Sequence, residues 1–288
     1  MTPQIVFEDK YLMAINKPPR IVVNKAKTVK DDTIQSWFVE WLGGEKKFEK
    51  IGESKNQWQH LIKEDFSEKY GTPEEIFLQR QGIIHRLDKD TSGILLLAKD
   101  PGTLVNLLKQ FKDRKTSKKY LCLVHGKMRV ESSVIRVPIA RSTTNRHKFR
   151  ADIDGKTSST HYRVLHHYSP HDFSIFHLDE RLNSSKTKKK LTSYQQGFSL
   201  VECMPKTGRT HQIRVHMSHM GHPIVSDSVY GGEKRSILDK LWCSRQFLHS
   251  SAISFFHPES GKKMVLKADL YKDLQMIIDA FENSDSNN

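Results

Sequence analysis

Cysteine is scarce in this 288-residue chain: Cys122, Cys203 and Cys243 are its three, far apart and in no Cys-x-x-Cys arrangement. That argues against a disulfide framework or a zinc knuckle, and predicts three ordinary reduced thiols. Long hydrophobic runs are missing too. No stretch approaches the roughly 18 apolar residues of a membrane-spanning helix, and Met1-Thr2-Pro3-Gln4-Ile5 lacks the layout of a signal peptide. A cytoplasmic protein with no membrane partner is the expectation. Acidic residues are in deficit, 33 against 47 Lys and Arg, for a formal charge of +14. An excess of that size favours a polyanionic partner. With 36% apolar and 28% charged residues, and no repeat or convincing linker, the chain has the composition of a single globular domain with ample core.

Periodicity supplies a coarse map. Residues 4–17 are two apolar runs around Glu8-Asp9-Lys10, a hairpin ending at Pro18-Pro19. From Asp32, a capping residue, Ile34, Trp37, Phe38, Trp41 and Leu42 recur at helical spacing until Gly43-Gly44. Residues 45–81 read as a surface insertion of two short helices, one carrying Trp58, Leu61, Ile62 and Phe66, the other opened by Thr72-Pro73-Glu74-Glu75. Asp100-Pro101 opens a further helix with Leu104, Leu107, Leu108 and Phe111 on one face. Residues 120–126, 132–139, 160–165, 173–178, 198–204, 247–256 and 263–267 read as strands. Thr210 is expected to cap a helix that Gly221 ends, and Leu270, Leu274, Ile277, Ile278 and Phe281 mark a last helix. Residues 181–196 read as a mobile basic loop, and the tail 283–288 as disordered.

The chemistry concentrates in Gly82–Lys99. Ile94-Leu95-Leu96-Leu97-Ala98 is too apolar for an exposed strand and too short for a long helix, so it reads as a strand covered on both faces. Beside it His85, Arg86, Asp88, Lys89 and Asp90 crowd five titratable groups, which is costly unless they pair or react. The Asp-x-Asp of Asp88-Lys89-Asp90, followed by Thr91, invites a phosphoaspartate phosphatase reading, but the approach Ile83-Ile84-His85-Arg86-Leu87 is not the required strand and no later acidic pair suits Mg²⁺. A calcium loop fails because its twelfth position is Lys99. A kinase catalytic loop fails because the Asp falls one place late. His211, His216, His219 and His222 lack metal-ligand spacing: His211 and His216, five apart, diverge on a helix. His216 then reads as a core histidine. For Asp88 the bland alternative is an ion pair with Arg86 or Lys89 that ties a turn.

Against that alternative, the run from His85 to Lys99 resembles the signature of the RluA-type family of pseudouridine synthases, whose Asp after His-Arg-Leu attacks the uridine. Ala14–Pro18 is similar to that family's first motif, Lys119-Tyr120 to its tyrosine strand, Lys156–Tyr162 to its mid-sheet segment, and Pro205–Met217 with Gly221–Ile224 to its third motif. The match spans residues 4–270 in order. It implies an α/β domain of the α+β type over residues 1–282, with a mixed, mainly antiparallel sheet, flanking helices and a central catalytic cleft. It implies Asp88 as nucleophile, Tyr120 at the target base and Arg214 paired with the nucleophile, projecting off the apolar face one residue after Ile213. Arg86 would fill the gap left by a flipped nucleotide and Leu248 would lie under the base. His85, Lys17, Arg209 and His211 complete the expected RNA-contacting set. Breaking N1–C1′ and joining C5 to C1′ involves no redox change, and a carboxylate is already ionised at neutral pH, so no cofactor or metal is expected.

Four positions depart from the family pattern: Arg20 and Ser226 stand where Gly is usual, Asn24 where His is frequent, and Ser250 where Ala is usual. No N-terminal S4-type domain of the kind many relatives carry is expected, so target selection is expected in the catalytic domain and its insertions, residues 45–81 and 181–196. The protein is expected to act as a monomer on specific uridines of ribosomal, large-subunit above all, or transfer RNA; a non-catalytic RNA-binding assembly factor on the same fold is the alternative. Lys109–Lys119 has six bases to one acid, Arg136–Arg150 five to none and Arg181–Lys190 five to none. Three such segments predict RNA affinity that falls steeply between low and moderate salt in a filter-binding titration; a flat salt profile contradicts backbone contact.

Overall fold

The structure is a computed structural model, describing residues 2–25, 32–62, 66, 67, 69, 71–169 and 194–285. In chain order its elements are β1 (Gln4–Glu8), β2 (Leu12–Lys17), α1 (Ile34–Trp41), α2 (Glu45–Glu53), α3 (Pro73–Arg80), β3 (Ser92–Ala98), α4 (Pro101–Lys112), β4 (Ser117–His125), β5 (Ser132–Ile135), β6 (Ile139–Arg141), β7 (Phe149–Ala151), β8 (Thr160–Tyr168), β9 (Phe198–Pro205), α5 (Gln212–His219), α6 (Glu233–Asp239), β10 (Leu248–Phe256), β11 (Lys263–Lys267) and α7 (Lys272–Asp285). The class is mixed α+β with mainly antiparallel sheet, as expected. The expected strand 173–178 and most of the basic loop 181–196 lie outside the described residues. Among the described residues no helix is long and apolar enough to cross a membrane.

The chain forms two compact units, Met1–Lys118 with Ser250–Asp269, and Lys119–His249 with Leu270–Asn288. In the first, strands run β1-β2-β3-β10, with β11 on β10. β2 and β3 are buried along their whole length, which is why their sequences do not alternate. Each buried leucine of β3 contributes about 2 kcal/mol. Leu12, Ala14, Ile94, Leu96, Leu104, Leu107, Ile253 and Phe255 share one core with Phe48 and Phe77. Phe48 and Phe77 stack at 4.4 Å. Phe48, Trp58, Leu61 and Phe77 of the segment expected to be a surface insertion are buried, so its described residues are tied into the first unit's interior, and they hold α2 as well as α3. The period through Trp58 and Leu61 forms two short 3-10 turns, Lys55–Gln57 and Gln59–Leu61, with Trp58 2% exposed. α1 is capped by Thr33 through a box with Ser36, one residue after the expected Asp32. α3 and α4 start as read, capped by Thr72 and Asp100.

The second unit has strand order β4-β9-β8-β5. Its core joins Cys122, Val124, Tyr162, Phe198, Val201, Ile213, Met217, Phe247, Ile277 and Phe281. α7 runs through Asp285, past Asn283 where order was expected to stop. α5 is headed by His211, whose φ of 56° is left-handed, with no side-chain cap; the expected cap Thr210 does not serve. A buried polar knot forms at the C-terminal end of α6: Asp239 accepts hydrogen bonds from Tyr194 Oη (2.7 Å) and Ser226 N–H (2.8 Å) and pairs with His125 Nε2 (2.9 Å).

That knot holds Ser226 at φ 58°, and Arg20 sits at φ 68°. Both are positions where the family pattern has glycine, the residue that adopts such backbone without strain. Gly93 is a position where glycine stayed: at φ 112°, an added Cβ would lie 2.2 Å from the Ser250 carbonyl oxygen. The hydroxyl of Ser250 itself is buried and has no hydrogen-bond partner. Ser250→Ala is therefore expected to raise unfolding stability by about 1 kcal/mol, by removing a desolvated hydroxyl. Gly93→Ala should destabilise by more than that; denaturant titration of both variants measures the pair, and a Ser250→Ala protein less stable than wild type contradicts the assignment.

Candidate active site

Asp88 belongs to the first unit, in a turn that enters β3. The turn is closed by Thr91 N–H donating to the Asp88 carbonyl at 3.2 Å. Its two arms are anchored separately. Upstream, Arg80 donates from Nε to Ile83 O (2.9 Å) and from Nη2 to Ile84 O (3.0 Å). Leu87 is buried, as are Thr91 and Ser92 downstream, while Asp88 is partly exposed and Arg86 and Lys89 are exposed. With Leu87 packed between them, Arg86 and Asp88 are left accessible.

Lys17 completes the bracing, and here the expectation of RNA contact is corrected. Its side chain is 0% exposed, and Nζ donates to Pro18 O (2.7 Å), Ile21 O (3.0 Å) and Lys89 O (3.1 Å). Three carbonyls match the three N–H groups of an ammonium, the condition under which a buried cation is tolerated. Lys17 therefore ties the first motif to the Asp88 turn from within the protein. His85, partly buried, also turns its ring toward the protein. Its Nε2 accepts the Leu96 N–H at 3.1 Å and its ring stacks on Phe111 at 5.0 Å. Burial, with help from Lys118 and Arg80, pushes its pKa down to about 3. It is a neutral imidazole that secures the His-Arg-Leu-Asp arm to β3.

In the second unit, Tyr120 lies on β4 opposite Cys203 of β9, partly buried against the core. The neighbouring Lys119 pairs with Glu202 at 3.0 Å. Arg214 on α5 does not project into solvent: it is 5% exposed, with Nε and Nη2 donating to Asp227 Oδ2 (2.7 Å) and Oδ1 (2.9 Å). This bidentate pair fixes the guanidinium plane. Asp227, fully buried, also accepts Val229 N–H and Tyr230 N–H on Oδ1. Arg214 lies over the Tyr230 ring, 5.1 Å from its centroid, and Tyr230 Oη is 2.9 Å from His211 Nδ1. Arg209 is exposed and donates to Thr157 O. Leu248 is 4% exposed within the core. His216 is a satisfied core histidine as read, bonded to Thr160, Ser158 and Val137 O, its pKa lowered by burial.

Asp227 and Tyr230 were not singled out from the sequence. Their signal is local: Asp227 precedes Gly231 by four, and an added Cβ on Gly231 would lie 2.6 Å from Asp227 O, the mark of a tight turn organised by its first residue. Among the described residues no three His, Cys, Asp or Glu side chains converge as a metal site.

A model of the RNA pseudouridylate synthase family matches residues 11–219. The chain belongs to this family, isomerases that act on RNA, and it is of the RluA type that its motifs resemble. It is 33% identical over 279 residues to the ribosomal large subunit pseudouridine synthase D of Zymomonas mobilis, covering 95% of this chain and 71% of that protein. It is 33% identical over 270 residues to the ribosomal large subunit pseudouridine synthase C of Buchnera aphidicola subsp. Schizaphis graminum, covering 92% and 67%. Among solved structures, human RNA pseudouridylate synthase domain containing 4 shares the fold with a TM-score of 0.60 at 20% identity, over 97% of this chain and 93% of that one.

The His85 environment predicts a pH dependence. Because the folded pKa, about 3, lies below the ordinary 6.5, the unfolded chain takes up the proton first. This group's contribution is complete above pH 6.5 and is lost as pH falls toward 3. The stability of wild type should decline more steeply over that window than that of His85→Gln, measured by denaturant midpoints; parallel declines contradict a neutral His85.

Proposed function

We propose that this chain isomerises specific uridines of large-subunit ribosomal RNA to pseudouridine, with Asp88 as the nucleophile. The observation that carries the reading is the braced turn: a partly exposed carboxylate on backbone fixed by Lys17, Arg80, His85 and Leu87. A nucleophile held this way approaches an anomeric carbon or a ring carbon without having to be ordered first. Tyr120 contacts the target base, its partly buried ring held by β4. Arg214 is the family's active-site arginine, and its clamp by Asp227 supports a fixed orientation. The exposed Arg86 occupies the space that the flipped nucleotide vacates, since C1′ and C5 are out of reach inside a stack. His85 and Lys17 act from behind the turn, and Arg209 and His211 face the RNA.

RNA is favoured by charge and by the relatives' substrates. Lys112, Arg114 and Lys115 are exposed in one basic segment, and Arg141, Arg146, Lys148 and Arg150 in another, the β6–β7 hairpin and its loop. The segment Arg181–Lys190 lies outside the described residues. The family match runs through both compact units, which supports reading residues 1–282 as one catalytic module. The two relatives named above modify large-subunit ribosomal RNA, and on that ground ribosomal RNA is preferred to transfer RNA.

Asp88→Asn expressed beside wild type in cells lacking the endogenous protein decides the matter. Pseudouridine mapping of total RNA is expected to show one or a few large-subunit positions present with wild type and absent with the variant. Identical maps overturn the enzymatic role of Asp88 and favour the assembly factor; a lost site in transfer RNA moves the substrate.

A further inference from the structure

Tyr230 ties its own turn to two other parts of the second unit, β7 and the α5 region. Its hydroxyl accepts the Phe149 N–H at 2.9 Å and shares a 2.9 Å hydrogen bond with His211 Nδ1. Its ring lies beneath the Arg214 guanidinium. Its own N–H is held by Asp227, the carboxylate that clamps Arg214, and its carbonyl accepts from Ser218 Oγ at 3.3 Å. Phe149 opens β7, and β7 pairs only with β6 in a two-stranded sheet of three residue pairs. A ribbon that short is marginal by itself and depends on what it rests on. At its base Ile139 and Lys156 exchange both backbone hydrogen bonds, at 3.0 and 2.9 Å. Towards its tip Phe149 is packed by Arg141, 5.1 Å from its ring, and by the edge of His211 at 5.6 Å. Beyond Phe149 the loop exposes Arg146, His147 and Lys148.

We infer that Tyr230 is a positioning residue that latches the basic β6–β7 hairpin to Arg214, so that RNA drawing on the hairpin and the orientation of the arginine are set by one side chain. The inference rests on the functional reading above, in which Arg214 serves the reaction. The two ends of Tyr230 do different work. The hydroxyl holds the hairpin through Phe149, and the ring and backbone hold Arg214 with Asp227. Removing the hydroxyl alone should therefore loosen the hairpin while leaving the arginine seated, and removing the ring should disturb both.

Tyr230→Phe and Tyr230→Leu separate the two. With an in vitro transcript of large-subunit ribosomal RNA as substrate, Tyr230→Phe should raise KM about tenfold, the value of one or two lost hydrogen bonds, with little of the loss in kcat. Tyr230→Leu should lower kcat as well, by about tenfold, for the lost cation–ring contact. Amide exchange at Phe149 should quicken in Tyr230→Phe. A parallel measurement needs no turnover: Asp88→Asn carrying Tyr230→Phe should bind the transcript about tenfold more weakly than Asp88→Asn alone. Equal affinities, or a Tyr230→Phe enzyme whose KM matches wild type, overturn the latch. So does a loss shared in the same ratio between KM and kcat and tracking a lowered melting temperature in both variants, which is what a purely structural tyrosine gives. Should Tyr230→Leu fail to fold, the phenylalanine variant and the binding pair decide alone. A wild-type protein that binds the transcript without modifying it faults the functional reading, and the binding pair still judges the latch.

Discussion

A single buried ammonium fixes the backbone of the first unit where the chemistry is expected. Moving a charge out of water is costly, and Lys17 is retained because three carbonyls converge on it. The dependence runs both ways: the carbonyls of Pro18, Ile21 and Lys89 are held in register because the cation needs all three. The segment after β2 must wrap around the ammonium to present two of them, and Arg20, inside that wrap, takes the left-handed backbone. The third carbonyl belongs to the residue after Asp88. A motif at the start of the chain and a turn some seventy residues later are thereby one object.

The second unit applies the same constraint with the opposite sign. Asp227 is a buried carboxylate, and it gathers Arg214 from α5 together with two backbone N–H groups of its own turn. Asp239, also buried, does the equivalent for the strained Ser226 through its backbone N–H. In each case an ion that cannot be left unpaired dictates loop geometry that hydrophobic packing alone would leave loose.

Much of this was legible in the sequence, for reasons that differ by residue. β3 announced itself by five consecutive apolar residues, and α3 and α4 by caps whose side chains do what Thr72 and Asp100 were read to do. The resemblance, not spacing or periodicity, is what singled out Asp88, Tyr120 and Arg214 as candidates. The inward turn of basic side chains was not legible: Lys17 and His85 look like RNA-facing bases in a linear chain, and the carbonyls that absorb Lys17 are invisible to side-chain pattern. The 45–81 segment misled because its polar residues outnumber its aromatic ones, while Phe48, Trp58 and Phe77 decide where it packs. The departures at Arg20 and Ser226 acquired meaning only from φ, a quantity no spacing reveals.

The three cysteines carry a practical corollary. All are buried; Cys122 and Cys203 face each other at 3.6 Å, and Cys203 is held well above the usual thiol range by that neighbour and by burial. Burial pushes Cys243 up to about 12. Enclosed thiols are poorly reached by maleimides and iodoacetamides, and a raised pKa also keeps Cys203 and Cys243 in the less nucleophilic protonated form. The native chain thus offers a silent background for site-directed labelling, and a fluorophore or spin probe attached through one cysteine added to the exposed loop of the β6–β7 hairpin would report on that loop alone.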